Sequence, residues 1–219
     1  MKRIGYLYEK IYDYKNLKLA HKNAQKGKTD YKDVIKVNEN EEYYLLELQS
    51  QLKNKTFKNG KYHIFKKIDK GKEREIYSLP YFPDRILHHA ILQVLEPIWK
   101  KILIKDTYQS IKGRGIHEGF RRVRKAIQSG DNFNCLKIDV KKFYPSINNE
   151  ILKQIIRKKI KDPKLLWLLD LIIDSTKGVP IGNYLSQFFG NLFLAYFDQE
   201  ILQYCKQNLL PFSILSEHL

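Results

Sequence analysis

The chain has 219 residues and 43% hydrophobic content, so it is long and apolar enough to bury a core, which argues against wholesale disorder. Forty Lys and Arg residues against 24 Asp and Glu residues leave a net charge of +16, which favours a polyanionic partner such as nucleic acid or an anionic membrane surface. A basic surface without a function, as Lys-rich sequences often carry, is the alternative explanation.

The two cysteines, Cys135 and Cys205, are too few for a disulfide framework and wrongly spaced for a zinc site. They favour a reduced, cytoplasmic setting. The N-terminus carries charges throughout and has no apolar stretch of signal-peptide length. Residues 178–197 contain no charge but include several polar side chains, so they indicate a buried helix with a polar face rather than a membrane span.

The first half of the chain predicts helices interrupted by one hairpin. Residues 1–37 are rich in Lys and Tyr and favour one or two surface helices. Asn38 or Asn40 is a candidate cap for a helix over residues 41–52. Residues 54–82 contain short β-prone runs around the turn-forming segment 69–72, which predicts a hairpin with a basic tip.

Two amphipathic helices follow. Asp84 is a candidate cap for a helix through residue 98, and Pro97 should kink it or end its regular part. The second helix is predicted over residues 116–127, with its apolar side facing inward (Ile116, Phe120, Val123 and Ile127). Its opposite side is basic and is by itself best explained as a solvated face (Arg121, Arg122, Arg124 and Lys125).

The second half alternates a strand, helices and a turn. Residues 135–140 predict a strand whose apolar side chains point away from Asp139. Helices are predicted over 149–160 and 164–174, a turn over 178–182, and the uncharged helix from Asn183. The predicted fold class is α+β, with helices packed on a small antiparallel sheet.

Asp139 is the most informative single residue. A carboxylate at the end of a buried strand needs a metal ion or a basic side chain to offset its desolvation. Taken alone, such an aspartate is more often a cap or half of an ion pair than a catalytic group.

The surrounding stretch, residues 136–147 (Leu-Lys-Ile-Asp-Val-Lys-Lys-Phe-Tyr-Pro-Ser-Ile), closely resembles the first palm motif of reverse transcriptases. The resemblance implies that Asp139 binds two catalytic Mg²⁺ ions with help from the Val140 carbonyl. It also implies that Tyr144 lies under the incoming sugar and excludes a 2′-hydroxyl group. The implied fold is the fingers and partial palm of a right-hand polymerase.

Three further stretches resemble the same family in the same order. Residues 74–80 and the following helix resemble the fingers motif, in which Arg74 grips the triphosphate with a second cation from Lys66 or, preferably, Lys67. Residues 112–117 resemble the fingers–palm motif that approaches nucleic acid. With the basic helix face they imply nucleic-acid contacts by five residues: Lys112, Arg114, Arg121, Arg122 and Arg124. Residues 178–187 resemble the turn and helix that hold the template base and the nucleotide.

The last of these stretches departs from most of the family. Ile181 stands where a glutamine is usual, and the motif ends in Ser186-Gln187 rather than Ser-Pro. This pattern resembles reverse transcriptases of diversity-generating retroelements, which implies error-prone copying with Ile181, Gly182 and Gln187 shaping the base-pair pocket. Retron-like, group II intron-like and phage-defence reverse transcriptases remain alternatives.

A second departure concerns the metal site. Two-metal phosphoryl transfer needs several carboxylates, and the sequence contains no Asp-Asp pair of the Tyr-x-Asp-Asp motif. We therefore expect a chain truncated before that motif, organised as an N-terminal basic helical extension (1–37), a fingers-like region (38–130), a partial palm (131–205) and an atypical tail (206–219) without a thumb.

The resemblance implies an RNA template, a DNA or RNA primer, deoxynucleoside triphosphates and Mg²⁺ as partners of the complete enzyme, with no membrane and with an accessory protein left open. The chain alone is expected to be inactive. The alternative function is that of a catalytically inactive remnant that binds nucleic acid.

Overall fold

The computed structural model describes residues 3–69, 71–130 and 137–208. A kinked segment, Tyr81–Arg85, connects the hairpin to the fifth helix, and Phe82 within it has extended backbone angles (φ −108°, ψ 135°). The strands are β1 (His63–Asp69) and β2 (Lys72–Ser78). The helices, in chain order, are α1 (Tyr8–Tyr12), α2 (Tyr14–Ala24), α3 (Lys32–Glu39), α4 (Glu41–Lys53), α5 (Ile86–Trp99), α6 (Ile116–Gln128), α7 (Phe143–Ser146), α8 (Asn149–Arg157), α9 (Pro163–Ile173) and α10 (Tyr184–Gln207).

Helix α5 lies at the centre of the core and packs against α1, α2 and α10. It is mainly apolar, and Trp99 near its end is fully buried. The α2 side chains that face it, Leu17 and Ala20, are also fully buried. The helices predicted on the surface in residues 1–37 are confirmed as helices with an exposed side, and their other side is buried in the core. Apolar residues spaced three to four apart allow even a Lys-rich helix to bury one side.

The predicted hairpin is confirmed. β1 and β2 pair antiparallel, with His63 opposite Ser78 and Asp69 opposite Lys72. This is the one sheet within the described residues, and helices account for most of the rest. The α+β prediction is confirmed at that level.

The predicted strand over residues 135–140 is wrong for the part that the structure describes. Residues 137–140 have no regular secondary structure, and residues 135 and 136 lie outside the described residues. Ile138 is 70% exposed and Val140 is 48% exposed. A strand needs a neighbour for its backbone hydrogen bonds, and no described segment pairs with this one.

Helix α6 forms where it was predicted, but its apolar side does not face inward. Ile116, Phe120 and Ile127 are each more than 60% exposed, and Gly119 is the buried residue of the helix. Amphipathic spacing predicts that a helix forms and which side is apolar. It does not provide the surface against which that side packs.

Helices α8, α9 and α10 confirm the predictions for the C-terminal half. The uncharged part of α10 buries polar as well as apolar side chains, with Ser186 3% and Asn191 0% exposed. Asn191 donates to the Gln109 carbonyl at 2.9 Å. Among the described residues, no helix is long and apolar enough to span a membrane.

Asp84 is not a helix cap as predicted. It lies in the kinked segment before α5, is fully buried, and accepts a hydrogen bond from the Gly60 backbone N–H at 3.0 Å. Burial raises the pKa of its carboxyl group to about 6, although the Gly60 N–H partly offsets this. The carboxylate thus joins the loop before β1 to the start of α5.

We expect Asp84→Asn to remove a pH dependence of folding. Because the folded-state pKa is raised, ionisation of Asp84 destabilises the folded chain progressively from about pH 4 to 6, by up to about 3 kcal/mol. The asparagine oxygen still accepts from Gly60 but does not ionise. The free energy of unfolding in urea, measured for both chains from pH 4 to 7, should diverge in favour of the variant as pH rises. A constant difference across that range would contradict the assignment.

Candidate nucleic-acid interface

The hairpin is docked on the turn that precedes α10. The Tyr77 backbone N–H in β2 donates to the Ile181 carbonyl at 2.7 Å. Gly182 has φ +119°, and a Cβ at this position would lie 2.8 Å from the Tyr77 carbonyl oxygen. Only glycine combines that backbone angle with so close an approach. The turn and β2 therefore share one surface.

Tyr144 joins the same surface from the other side. Its carbonyl accepts from the Val179 N–H at 3.0 Å, which fastens α7 to the turn. Its ring lies against α10 at Gly190, where an added Cβ would be 3.1 Å from Tyr144 Cε1. Its hydroxyl accepts from Gln109 Nε2 at 3.2 Å. The position of the ring is thus determined by three segments distant in sequence.

The charge of Arg74 acts on the Tyr144 hydroxyl. Burial raises the pKa of this hydroxyl, while the hydrogen bond from Gln109 and the charge of Arg74 each lower it, and the net shift is upward. The hydroxyl is therefore protonated at neutral pH. Arg74 in β2 is therefore close enough for its charge to act on Tyr144 in α7.

The two candidate second cations lie on opposite sides of the hairpin. Lys67 is directly opposite Arg74 in the antiparallel register, and directly opposed residues project from the same face of a sheet. Lys66 projects from the other face and forms an ion pair with Glu73 at 2.8 Å. The face that carries Arg74 therefore also carries Lys67.

The remaining predicted pocket residues lie around the turn. Ile181 is half-buried and Gly182 is exposed. Gln187 lies in the first turn of α10 and is exposed. The residues around the turn thus offer one aliphatic side chain, a glycine backbone, the Tyr144 ring and an exposed amide.

Asp139 lies apart from any ligand set within the described residues. It is exposed, as is Val140. Among the described residues there is no group of three or more His, Cys, Asp or Glu side chains that could hold a metal ion. Two Mg²⁺ ions need several oxygen ligands each. The described residues therefore do not fit the pair of metal ions that the motif resemblance implies.

Several of the predicted nucleic-acid-binding cations make contacts within the chain. Arg114 donates to the Ile104 carbonyl at 3.0 Å. Arg121 pairs with Glu118 at 2.5 Å, and Arg122 pairs with Asp106 at 3.5 Å. Lys112 and Arg124 are exposed. The Arg121–Glu118 pair is itself largely exposed, and such pairs contribute little to stability and can exchange for a phosphate partner.

Sequence reasoning missed Gln109 and Gly190. Gln109 precedes the fingers–palm motif, and nothing in its neighbours distinguishes it from a surface residue. Gly190 stands in the middle of a helix, where glycine costs about 1 kcal/mol relative to alanine. A glycine kept in a helix despite that cost indicates that another group packs closely against it. At Gly190 this group is the Tyr144 ring.

No protein-family model matches the chain. Protein YkfC of Escherichia coli (strain K12) is 26% identical over 143 residues, 59% of this chain and 37% of that protein. Nuclear intron maturase 1, mitochondrial, of Arabidopsis thaliana is 28% identical over 105 residues, 47% of this chain and 14% of that protein. Group II intron-encoded protein LtrA of Lactococcus lactis subsp. cremoris is 23% identical over 144 residues, 61% of this chain and 24% of that protein.

Each match spans well under half the length of the relative. Two of these relatives are named for introns, which agrees with the motifs that converge on the turn before α10. The chain is a distant relative of an intron maturase and a group II intron-encoded protein, and this supports a reverse-transcriptase-like family for it.

Proposed function

We propose that the chain is the fingers and partial palm of an RNA-directed DNA polymerase, and that its pocket receives the incoming deoxynucleotide and the templating base. One observation carries the proposal. Three of the four stretches that resemble reverse-transcriptase motifs are joined by the Tyr77–Ile181 and Val179–Tyr144 backbone hydrogen bonds. If the motif resemblances were coincidental, there would be no reason to expect these segments to contact one another in the folded chain.

Each pocket residue has a role that suits its chemistry. Arg74 and Lys67 bind the triphosphate, since a guanidinium group pairs with phosphate oxygens in two places. Tyr144 lies beneath the sugar and disfavours a 2′-hydroxyl group. Ile181 and Gly182 contact the nascent base pair without donating or accepting through a side chain. An aliphatic contact cannot reject a mispair by leaving a hydrogen bond unmade, so copying is error-prone.

Photo-crosslinking tests the location of the templating base. An RNA template with 5-iodouracil at the templating position is annealed to a DNA primer, bound to the chain and irradiated. We expect the crosslink in the tryptic peptide 178–206 or at Tyr144, because these line the pocket. Excess unlabelled primer–template should abolish it. A crosslink confined to α6 or to residues 1–37 would contradict the proposal.

A second function, nucleic-acid binding without catalysis, is favoured because no group of three or more potential metal-ligating side chains is found among the described residues, so Asp139 belongs to none. We therefore expect the purified 219-residue chain to bind a primer–template and to incorporate no deoxynucleotide in the presence of Mg²⁺. A primer-extension gel, with a complete reverse transcriptase on the same substrate as control, measures this. Robust extension that Asp139→Ala abolishes would contradict the second function and establish catalysis by this chain.

A further inference from the structure

A separate groove lies between the loop that precedes β1 and helix α9. Its volume is about 910 Å³, and it opens to solvent. None of the pocket residues discussed above lines it. The side chains that determine its chemistry are Lys58, Lys61, Tyr62, Trp167, Asp170 and Asp174.

Trp167 offers a stacking surface in this groove. It is half-buried in α9, so its position is supported by packing while part of the ring faces the groove. The Lys55 ammonium lies 5.8 Å from the ring centroid, which shows that a group from outside α9 can approach the ring. The other tryptophan, Trp99, is fully buried in the core. Trp167 is therefore the tryptophan that a ligand can contact.

The unpaired charges that line the groove are positive, because both aspartates in its lining form ion pairs. Asp170 pairs with Arg157 at 2.5 Å, and Asp174 pairs with Lys153 at 3.0 Å. Lys58 and Lys61 are exposed and form no ion pair with a described residue. The uncompensated charge is therefore cationic and lies on the loop opposite the Trp167 ring.

One wall of the groove is held against the turn that precedes α10. The Tyr62 hydroxyl is hydrogen-bonded to Ser175 Oγ at 2.8 Å and lies 3.5 Å from Asn183 Nδ2. Asn183 follows Gly182 directly. The wall of the groove at Tyr62 is therefore joined to the residue that follows the Ile181–Gly182 turn.

We propose that this groove binds a single-stranded segment of RNA, with a base stacked on Trp167 and flanking phosphates on Lys58 and Lys61. The proposal rests on the function proposed above and adds a second contact outside the pocket. Stacking on an aromatic ring beside a cationic track is a sequence-tolerant way to bind single strands. A duplex buries the faces of its bases, so stacking on Trp167 requires an unpaired strand.

The test uses the full chain and a ten-nucleotide oligouridylate with a 5′-fluorescein label, whose fluorescence anisotropy measures the affinity of every variant. Tryptophan fluorescence is recorded alongside, because it reports contact with Trp167. We expect quenching in the wild type. Trp167→Phe should retain most of the affinity because it keeps an aromatic face. Trp167→Leu should lower it about ten- to a hundredfold and leave a Trp99 signal that RNA does not change. That residual signal and far-UV circular dichroism report whether the variant is folded.

A second pair of variants separates the groove from general charge. Lys58→Gln with Lys61→Gln should lower the slope of log affinity against log salt concentration by about 1.4, as expected for two single-strand phosphates. Lys22→Gln with Lys36→Gln removes the same charge from exposed sites on α2 and α3 and should leave the fluorescence quenching in place.

The outcomes are distinguishable. The proposed RNA site in the groove would be wrong if Trp167→Leu left salt-dependent binding unchanged and the two double lysine variants changed the salt dependence equally. The proposed function would not be contradicted by that result. Absence of any RNA binding by the wild type would overturn both. Equal Trp167-dependent binding of a ten-base-pair duplex, or full competition by uridine monophosphate at equal concentration, would overturn the single-strand assignment.

Discussion

Gly178→Ala is expected to destabilise the folded chain by about 3 kcal/mol or more, because it combines backbone strain with a clash. Gly178 has φ +73°, and a Cβ at this position would lie 2.5 Å from the Pro145 carbonyl oxygen and 2.9 Å from its carbon. Both are backbone atoms, so no side chain can rotate away to relieve the contact. Urea unfolding of wild type and variant measures the loss.

Gly27→Ala is the matched control. Gly27 has a similar φ of +69°, but a Cβ there would meet nothing within 4 Å. This variant therefore has the strain without the clash and should lose about 1 to 2 kcal/mol. Equal losses for the two variants would contradict the close approach of the turn to Pro145.

Gly178→Ala should also weaken binding at the proposed site, because Gly178 precedes the residue that joins the turn to α7. The next residue, Val179, donates the hydrogen bond to the Tyr144 carbonyl, so displacement of Gly178 separates the turn from α7. Under conditions in which the variant remains folded, the iodouracil crosslink to peptide 178–206 or to Tyr144 should weaken. The Gly27→Ala chain should retain it.

Asp162→Ala is expected to cost about 3 to 5 kcal/mol, because one buried carboxylate serves four backbone donors. Its Oδ2 accepts from the N–H groups of Leu7 and Tyr8 at 2.7 and 2.9 Å. Its Oδ1 accepts from those of Lys164 and Leu165 at 3.1 and 3.2 Å, which caps α9. Alanine leaves these donors without their partner and releases the N-terminal segment from α9.

Asp13→Ala is the control for capping alone. Asp13 caps α2 by accepting from the backbone N–H groups of Lys15 and Asn16. It lies at an exposed position, and among the described residues its side-chain hydrogen bonds stay within this cap. Its loss should cost about 1 kcal/mol. Thermal and urea unfolding should rank the two variants in this order. The reverse order would show that Asp162 does not hold the N-terminal segment.

The Asp162 contribution should also disappear in acid. Burial alone would raise the pKa of this carboxyl group, but the four backbone N–H donors outweigh it and the pKa is lowered. A lowered folded-state pKa means that the stabilisation is present above the ordinary carboxyl pKa of about 4 and is lost as pH falls through the folded-state value. The difference in unfolding free energy between wild type and Asp162→Ala should therefore shrink below about pH 4.

The local sequence pattern predicted the elements whose backbone hydrogen bonds lie within one short stretch of chain. Helix α4 was predicted over 41–52 and is observed over Glu41–Lys53, because its leucines recur on one side. The hairpin was predicted from β-prone runs around Gly71, whose φ of +76° suits the turn. Such elements satisfy most of their backbone hydrogen bonds within a short stretch of chain, so the local pattern is sufficient.

The prediction failed where an element depends on a distant partner. Residues 137–140 have the alternation of a strand, yet the described chain offers no strand to pair with them, so Ile138 and Val140 remain exposed. Asp84 stands at a typical capping position before α5, yet its carboxylate binds the distant Gly60 N–H. A carboxylate that can cap a helix can equally accept from a loop, and only the tertiary structure selects between them.

The candidate site divides in the same way. The sequence alone identified the motif residues from Arg74 to Gln187 and their order. It also identified Ile181 as a departure from the usual motif. The contacts that unite them required the fold. Gly182 fits against β2, Gly190 admits the Tyr144 ring, and Gln109 donates to its hydroxyl. Sequence determined which chemical groups are available, because each motif is a local string. The fold decided which of them meet, because the distance between remote residues depends on how every intervening element packs.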